Sequence, residues 1–384
     1  MPPQAEKIYF KDLDGVRAIA ATLVVVWHIE LHRHYYYIQN FASPDLGYVG
    51  VTFFLVLSGF LITYLLFAEK SLSKTVEYKS FYMRRVLRIW PLYFLVLLFG
   101  YFIFPRTVTN EAFLLSALFL PNFALLLNLL PTVIDPIWSI GVEEQFYLIQ
   151  PHILRIKKPV KILWVLVSLI GLWYLAKIVV HFIPDTPLIV FLKKCLILFR
   201  YDALLLGSIM ALLFYNYKNT LFKPWLKMDW LFHPATQVAA FSYLSIFMLF
   251  KTQFHNLLRY ESLTLATAII VLNLCNEQTS LLSLNNSVFR YVGKISYGFY
   301  LVHKLPLVLV IFFLDRYAAN LSPLMRIPVI YIFTIGGGLL IASLSFRYFE
   351  SFFLRLKHRF SKLEPTPGKV AVIKKPVVSS LEEV

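Results

Sequence analysis

The chain has 384 residues, 59% of them hydrophobic and only 15% charged, with a mean hydropathy of +0.67. A soluble domain of this size needs far more polar surface, so the composition specifies a polytopic membrane protein without a separate soluble core. The formal net charge of +16 sits in short loops between apolar runs, a positive-inside pattern with some attraction to anionic lipid, which argues against nucleic-acid binding. Cys195 and Cys275 lie in apolar runs and read as small core residues, neither a disulfide nor a metal site. The opening MPPQAEKIYFKDLD lacks the charged region, short apolar core and cleavage site of a signal peptide, so the first apolar segment is expected to stay as an anchor.

Eleven apolar candidates follow in chain order, near 13–29, 47–67, 89–104, 112–130, 138–154, 162–182, 188–215, 235–250, 261–275, 293–313 and 326–346. Between them, 68–88 carries Lys70, Lys74, Lys79, Arg84, Arg85 and Arg88, and 155–161 carries Arg155, Lys157, Lys158 and Lys161. Lys218, Lys223 and Lys227 occupy 216–233, and the tail is basic from Arg347 onward. The Lys/Arg bias assigns all four stretches to the cytoplasm; the loop 276–292, with Arg290 alone, adds little.

Three candidates then lie between 88 and 155, where an even number of crossings is required. The segment 138–154 is expected to be re-entrant or partial, because its adjacent Glu143 and Glu144 do not readily face lipid. The 112–130 run, broken by Pro121-Asn122, is the second choice. The predicted fold is all-α: about ten transmembrane helices plus one re-entrant or partial helix, with both termini cytoplasmic. One domain is expected over 1–360, and a disordered cytoplasmic tail over 361–384.

Arg17 and His28 lie in the first segment, eleven residues apart. At about 100° per residue, that spacing returns to within ~20° of the same helix face, roughly three turns on. Ionisable residues in hydrocarbon are costly unless they face a polar interior, so the pair marks a polar track. Asp14 is placed to pair with Arg17 on the same face. His28 reads either as a buried, hydrogen-bonded histidine or as a base that takes a hydroxyl proton near neutral pH. Asp14 is too distant along the helix to orient it, so an orienting group for such a base must come from another helix.

In FYMRRVLRIWP, Phe81 to Pro91, Arg85 and Arg88 share a helical face and Arg84 adds a third guanidinium. Planar guanidinium suits phosphate, although any juxtamembrane arginine cluster also serves as a positive-inside anchor. Glu143 and Glu144 offer a proton acceptor, a His partner or an Arg partner, or else half of a structural salt bridge. Arg200 and Asp202 read as structural, each with a partner elsewhere. Tyr300 and His303 share a face; His303 is a candidate second catalytic group, with interfacial anchoring the preferred reading. The glycines between Gly47 and Ile62 suit close helix packing. No metal-ligand spacing, Walker-type loop, dinucleotide fingerprint or nucleophile elbow is present.

Singly these signals are modest, but their order is specific. LDGVRAIAATLVVVWH, GVTFFLVLSGFLI, FYMRRVLRIWPLY, IWSIGVEEQFYLIQP, FRYDALLLGSIMA, GKISYGFYLVHKLPL and SFRYFE follow one another along the chain. In this the sequence resembles the acyltransferase 3 family of integral membrane acyltransferases over about residues 8–355. Thr52 departs from the family, which often has Asp there, and any role for that position is in doubt.

The resemblance implies transfer of an acyl group, usually acetyl, from cytoplasmic acyl-CoA to a carbohydrate or glycan hydroxyl, often on the outer side of a bacterial inner membrane. It implies that His28 is the catalytic histidine with Arg17 beside it, that Arg85 and Arg88, assisted by Arg84, meet acyl-CoA, and that Glu143 supports the site. It implies acyl-CoA as co-substrate and no metal. Some relatives fuse an esterase domain, so a separate periplasmic partner enzyme is a further expectation. His28 would act as a general base or as a transient acyl carrier. A proton-coupled transporter or flippase is the competing class, and a scaffold with structural ion pairs a third.

Overall fold

In hydrocarbon each backbone N–H and C=O must be satisfied within its own segment, and this chain does so with helices. The structure, a computed structural model, describes residues 9–33, 45–104, 108–219, 228–249 and 259–360, and among these every regular element is helical. The expected tail at 361–384 and the cations Lys223 and Lys227 lie outside the described residues. In chain order the helices are α1 (Asp12–Arg33), α2 (Leu46–Ser73), α3 (Tyr78–Ile103), α4 (Asn110–Ala117), α5 (Pro121–Leu126) and α6 (Ile137–Leu154). They continue as α7 (Pro159–Phe182), α8 (Pro187–Leu198), α9 (Tyr201–Asn219), α10 (Pro234–Leu249) and α11 (Arg259–Leu274). The last are α12 (Ser287–Val302), α13 (Lys304–Tyr317), α14 (Pro323–Ser345) and α15 (Ser351–Lys357).

Among the described residues six stretches are long and apolar enough to cross a membrane, and α12 with α13, bent by 56° at their junction, would be a seventh. The expected ten exceeds this because α10 and α11 have only 16 residues each, and α6 carries Glu143 and Glu144. Apolar side chains of α7 such as Trp164, Leu172 and Phe182 face outward, as lipid contact requires.

The centre is built from α1, α2, α9, α11 and α12. The predicted close packing is present: a Cβ on Gly59 would strike the Leu204 backbone of α9, and one on Gly50 would strike the Ala20 carbonyl of α1. On the other side of the α2–α9 contact, a Cβ on Gly207 would meet the Val56 carbonyl. Arg200, with φ of 48°, sits at the break between α8 and α9. Its guanidinium donates to Thr264 (2.7 Å) and lies 3.4 Å from Asp202, which accepts from the same hydroxyl at 3.0 Å. The pair is thus structural and has its partner on α11, and it also closes on itself because Arg200 lies outside the helix.

The run 112–130, the second choice for the partial element, is the one that folds back, as the two short helices α4 and α5. Tyr101 on α3 donates to Asn110 (2.8 Å), Tyr93 donates to the Ser116 carbonyl (2.7 Å), and the Phe119 ring stacks 4.8 Å from Tyr93. The chain then turns back, and Ile134 returns to the level of Gly100. The reversal falls where Phe119 takes φ of 59° and Pro121 starts α5. By contrast α6 is one unbroken helix antiparallel to α3: Trp90 donates to Glu144 (3.2 Å), Tyr82 donates to the Leu148 carbonyl (3.1 Å), and Tyr78 stacks on His152 (4.9 Å). Its carboxylates are tolerated because they turn toward protein.

Several of the basic loops make contacts across the chain. Lys70 donates to the Leu154 carbonyl (2.9 Å), Arg84 to the Phe360 carbonyl (2.7 Å), Lys11 to Glu277 (3.3 Å) and Lys218 to Asn276 (2.8 Å).

Candidate acyl-transfer site

The site begins at the start of α1, where the predicted Asp14–Arg17 pair closes at 2.9 Å. Tyr9 donates to the other Asp14 oxygen at 2.7 Å. Burial and that hydrogen bond push the Tyr9 hydroxyl up to about 12, so it remains a donor at neutral pH. Beyond them opens a cavity of about 300 Å³, walled by α1, α2, α3, α6, α12 and α15. Arg17, Arg85, Arg88 and Glu143 all line it, so four of the six predicted site residues converge although they come from three separate stretches of chain.

Glu143 is held rather than free. One of its oxygens accepts from Ser58 (2.9 Å) and from Tyr147 (2.5 Å), and those two hydroxyls touch each other. The Arg85 guanidinium lies 5.9 Å from the Tyr147 ring centroid. Glu143 therefore anchors a hydroxyl pair beside the cations, and no direct ion pair to either arginine forms among the described residues. Arg85 and Arg88 make no ion pair with any carboxylate among the described residues, and Arg85 Nε is buried without a partner. A buried cation left unpaired is costly unless something else neutralises it.

Arg84 corrects the sequence reading. It turns away from the cavity, pairing with the buried Glu69 at 2.7 Å and with the Phe360 carbonyl. At ~100° per residue Arg84 lies within about 40° of Arg88 and about 100° from Arg85, so periodicity alone does not remove it; the pairing with Glu69 on α2 does.

His28 stands outside the cavity wall, only 8% exposed, ~16 Å along α1 from Arg17. The orienting group expected from another helix is His303, at the bend between α12 and α13. His303 is fully buried, which overturns the anchoring reading. Its Nδ1 lies 2.7 Å from the Tyr300 carbonyl, so Nδ1 carries the proton and Nε2 accepts. That Nε2 is 3.0 Å from His28 Nδ1, which also lies 3.0 Å from the Val24 carbonyl. His28 Nδ1–H is thus shared between two acceptors, and the lone pair falls on Nε2, which has no partner among the described residues. Beside them Lys304 pairs with Asp135 at 2.6 Å.

Tyr300 joins the two regions. Its hydroxyl meets Ser139 (2.8 Å) at the cavity wall, while its carbonyl holds His303. Thr52 spends its hydroxyl on the Tyr48 carbonyl of its own helix at 2.6 Å. Sequence reasoning missed Ser58, Tyr147 and Lys357, which also line the cavity. The i, i+4 spacing of Glu143 and Tyr147 was the available signal for one of them.

An acyltransferase-domain family model, acyltransferase 3, matches residues 10–343, and the chain belongs to that family. It is 28% identical over 198 residues to "Peptidoglycan O-acetyltransferase OatA" of Listeria monocytogenes, covering 46% of this chain and 30% of the relative. It is 27% identical over 325 residues to "Putative peptidoglycan O-acetyltransferase YrhL" of Bacillus subtilis, covering 78% of this chain and 49% of the relative. A Staphylococcus aureus protein named "Putative O-acetyltransferase SACOL0978" is 27% identical over 380 residues, covering 89% of this chain and 57% of that one. The chain thus spans less than two thirds of the length of each of these relatives. No solved structure matches it.

Proposed function

We propose that this protein transfers an acyl group, acetyl in the first instance, from acyl-CoA to a hydroxyl of a carbohydrate or glycan acceptor. The observation that carries the reading is the cavity in which Arg85 and Arg88 have no carboxylate partner among the described residues, in a chain of an acyltransferase family. Guanidinium pairs of this kind bind the phosphates of acyl-CoA, and the pantetheine arm extends past Tyr300 toward the imidazole pair. The names of the relatives favour a glycan, with peptidoglycan the first acceptor to try.

In this reading His28 Nε2 takes the proton of the acceptor hydroxyl as its oxygen attacks the thioester carbonyl. A C–O bond forms, the C–S bond breaks, and the thiolate of CoA leaves to take up a proton. His303 keeps the His28 proton on Nδ1 and the lone pair on Nε2, while Glu143 fixes the Ser58 and Tyr147 hydroxyls beside the cations. Because the thioester is already activated, positioning and one base suffice.

We read the bundle as crossing a bacterial inner membrane ten times, with α6 spanning and 112–130 re-entrant, and with the arginine-lined end cytoplasmic. Acceptors or partner enzymes would act at the opposite face. The test is acetyl-CoA binding and slow acetyl-CoA hydrolysis by purified protein in nanodiscs. Micromolar binding that weakens with salt is expected; a well-folded protein that neither binds nor hydrolyses acetyl-CoA would refute the proposal.

A further inference from the structure

The cavity wall holds a fourth cation that comes from outside the segment shared with the family. Lys357, the last residue of α15, lines it together with Arg17, Arg85 and Arg88. The family match ends at residue 343, before the segment that carries Lys357. Among the described residues the carboxylates in the wall are Asp14, already paired with Arg17, and Glu143, already hydrogen-bonded to Ser58 and Tyr147. Lys357 makes no ion pair among the described residues. Four basic side chains around one small cavity repel one another when charged, and an anion of several charges relieves that repulsion.

The placement of Lys357 is built by the fold. Between α14 and α15 the helix takes a π turn over Phe346–Glu350. The extra residue of a π turn rotates everything after it by about 100° relative to a continuous α-helix, and such turns gather at functional sites. The bulge is packed in place: Glu350 accepts from Ser345 at 3.0 Å and lies against Gly298 of α12. At the far end Arg84, itself held by Glu69, grips the Phe360 carbonyl and fixes α15 against α3. A lysine held in this way gives up less rotamer freedom on binding than one on a free tail.

We propose that Lys357 is a phosphate-binding residue of the acyl-donor site, closing the ligand's phosphates against Arg85 and Arg88, with Arg84 as its positioning residue. This rests on the acyl-CoA reading above. The test compares wild type with Lys357→Met, Lys357→Arg and Arg84→Ala in nanodiscs, using CoA, inorganic pyrophosphate and the phosphate-free donor S-acetylpantetheine as probes.

Lys357→Met should weaken CoA binding about tenfold, Lys357→Arg should restore it, and Arg84→Ala should reproduce part of the loss. The KM for S-acetylpantetheine should stay at the wild-type value in all three. Unchanged CoA affinity in Lys357→Met would overturn the proposal, as would a parallel loss toward S-acetylpantetheine, which signals general damage. If wild type does not bind CoA at all, the donor reading fails, and pyrophosphate decides Lys357: weaker pyrophosphate binding in Lys357→Met upholds it as an anion ligand, and unchanged binding removes it.

Discussion

The cation-walled cavity and the imidazole pair are both polar intrusions into an apolar bundle, built in opposite ways. In the cavity Arg85, Arg88 and Lys357 make no carboxylate pair among the described residues, and a buried Arg85 Nε has no acceptor. Around His28 nearly every nitrogen is occupied: His303 uses both of its own, and His28 uses Nδ1. An unsatisfied set of like charges is arranged for a ligand that arrives from outside. A satisfied network fixes one tautomer and leaves a single lone pair directed at whatever reacts. In the proposed reading the bundle separates binding from chemistry along the length of α1, with Tyr300 touching both.

The sharpest way to break this division is to compare His28→Ala with Arg88→Ala. His28→Ala should lower transfer by about 10²–10⁴-fold with acetyl-CoA affinity kept, measured by product formation and by calorimetry. A well-folded His28→Ala variant with normal turnover would end its role as base. Arg88→Ala should act on the other side, weakening acetyl-CoA binding by ~1.5–3 kcal/mol, with most of the loss recovered at saturating donor. If Arg88→Ala lowers kcat and leaves affinity alone, the division is drawn in the wrong place.

His303→Gln comes next and tests orientation. It should reduce kcat by about tenfold, leave the KM for acetyl-CoA near its wild-type value, and displace the acid limb of the pH–rate profile. An unmoved pH profile would reduce His303 to packing. The smallest effect expected is that of Tyr147→Phe. Removing the donor at 2.5 Å from Glu143 should cost ~1–3 kcal/mol of stability, read from the thermal midpoint in detergent, because a buried carboxylate loses one of its two donors.

Much of this was legible in the sequence, for reasons that differ by residue. Arg17 and His28 were visible because one helix carries both, and helical periodicity alone places them on a stripe. Arg85 and Arg88 were visible for the same reason, three residues apart on one face. Arg84 lies near Arg88 in helical phase, so periodicity grouped the two; Glu69 on α2, invisible to periodicity, draws Arg84 away. His303 was underweighted because its neighbour, His28, lies on a helix far away in the chain. Lys357 counted only toward the charge of a tail, since nothing local signals a π turn that rotates it inward.

Composition and hydropathy by themselves determined a helical membrane protein, because apolar runs in lipid have few other ways to satisfy their backbone, and the order of the motifs carried the resemblance to the acyltransferase 3 family. They also determined which faces of α1 and α3 are polar. Tertiary structure decided which segment turns back, which arginine leaves the cavity, which imidazole orients His28, and which lysine joins the cations. Periodicity specifies the face a side chain occupies on its own helix. Only the packing of helices distant in the chain specifies what that face meets.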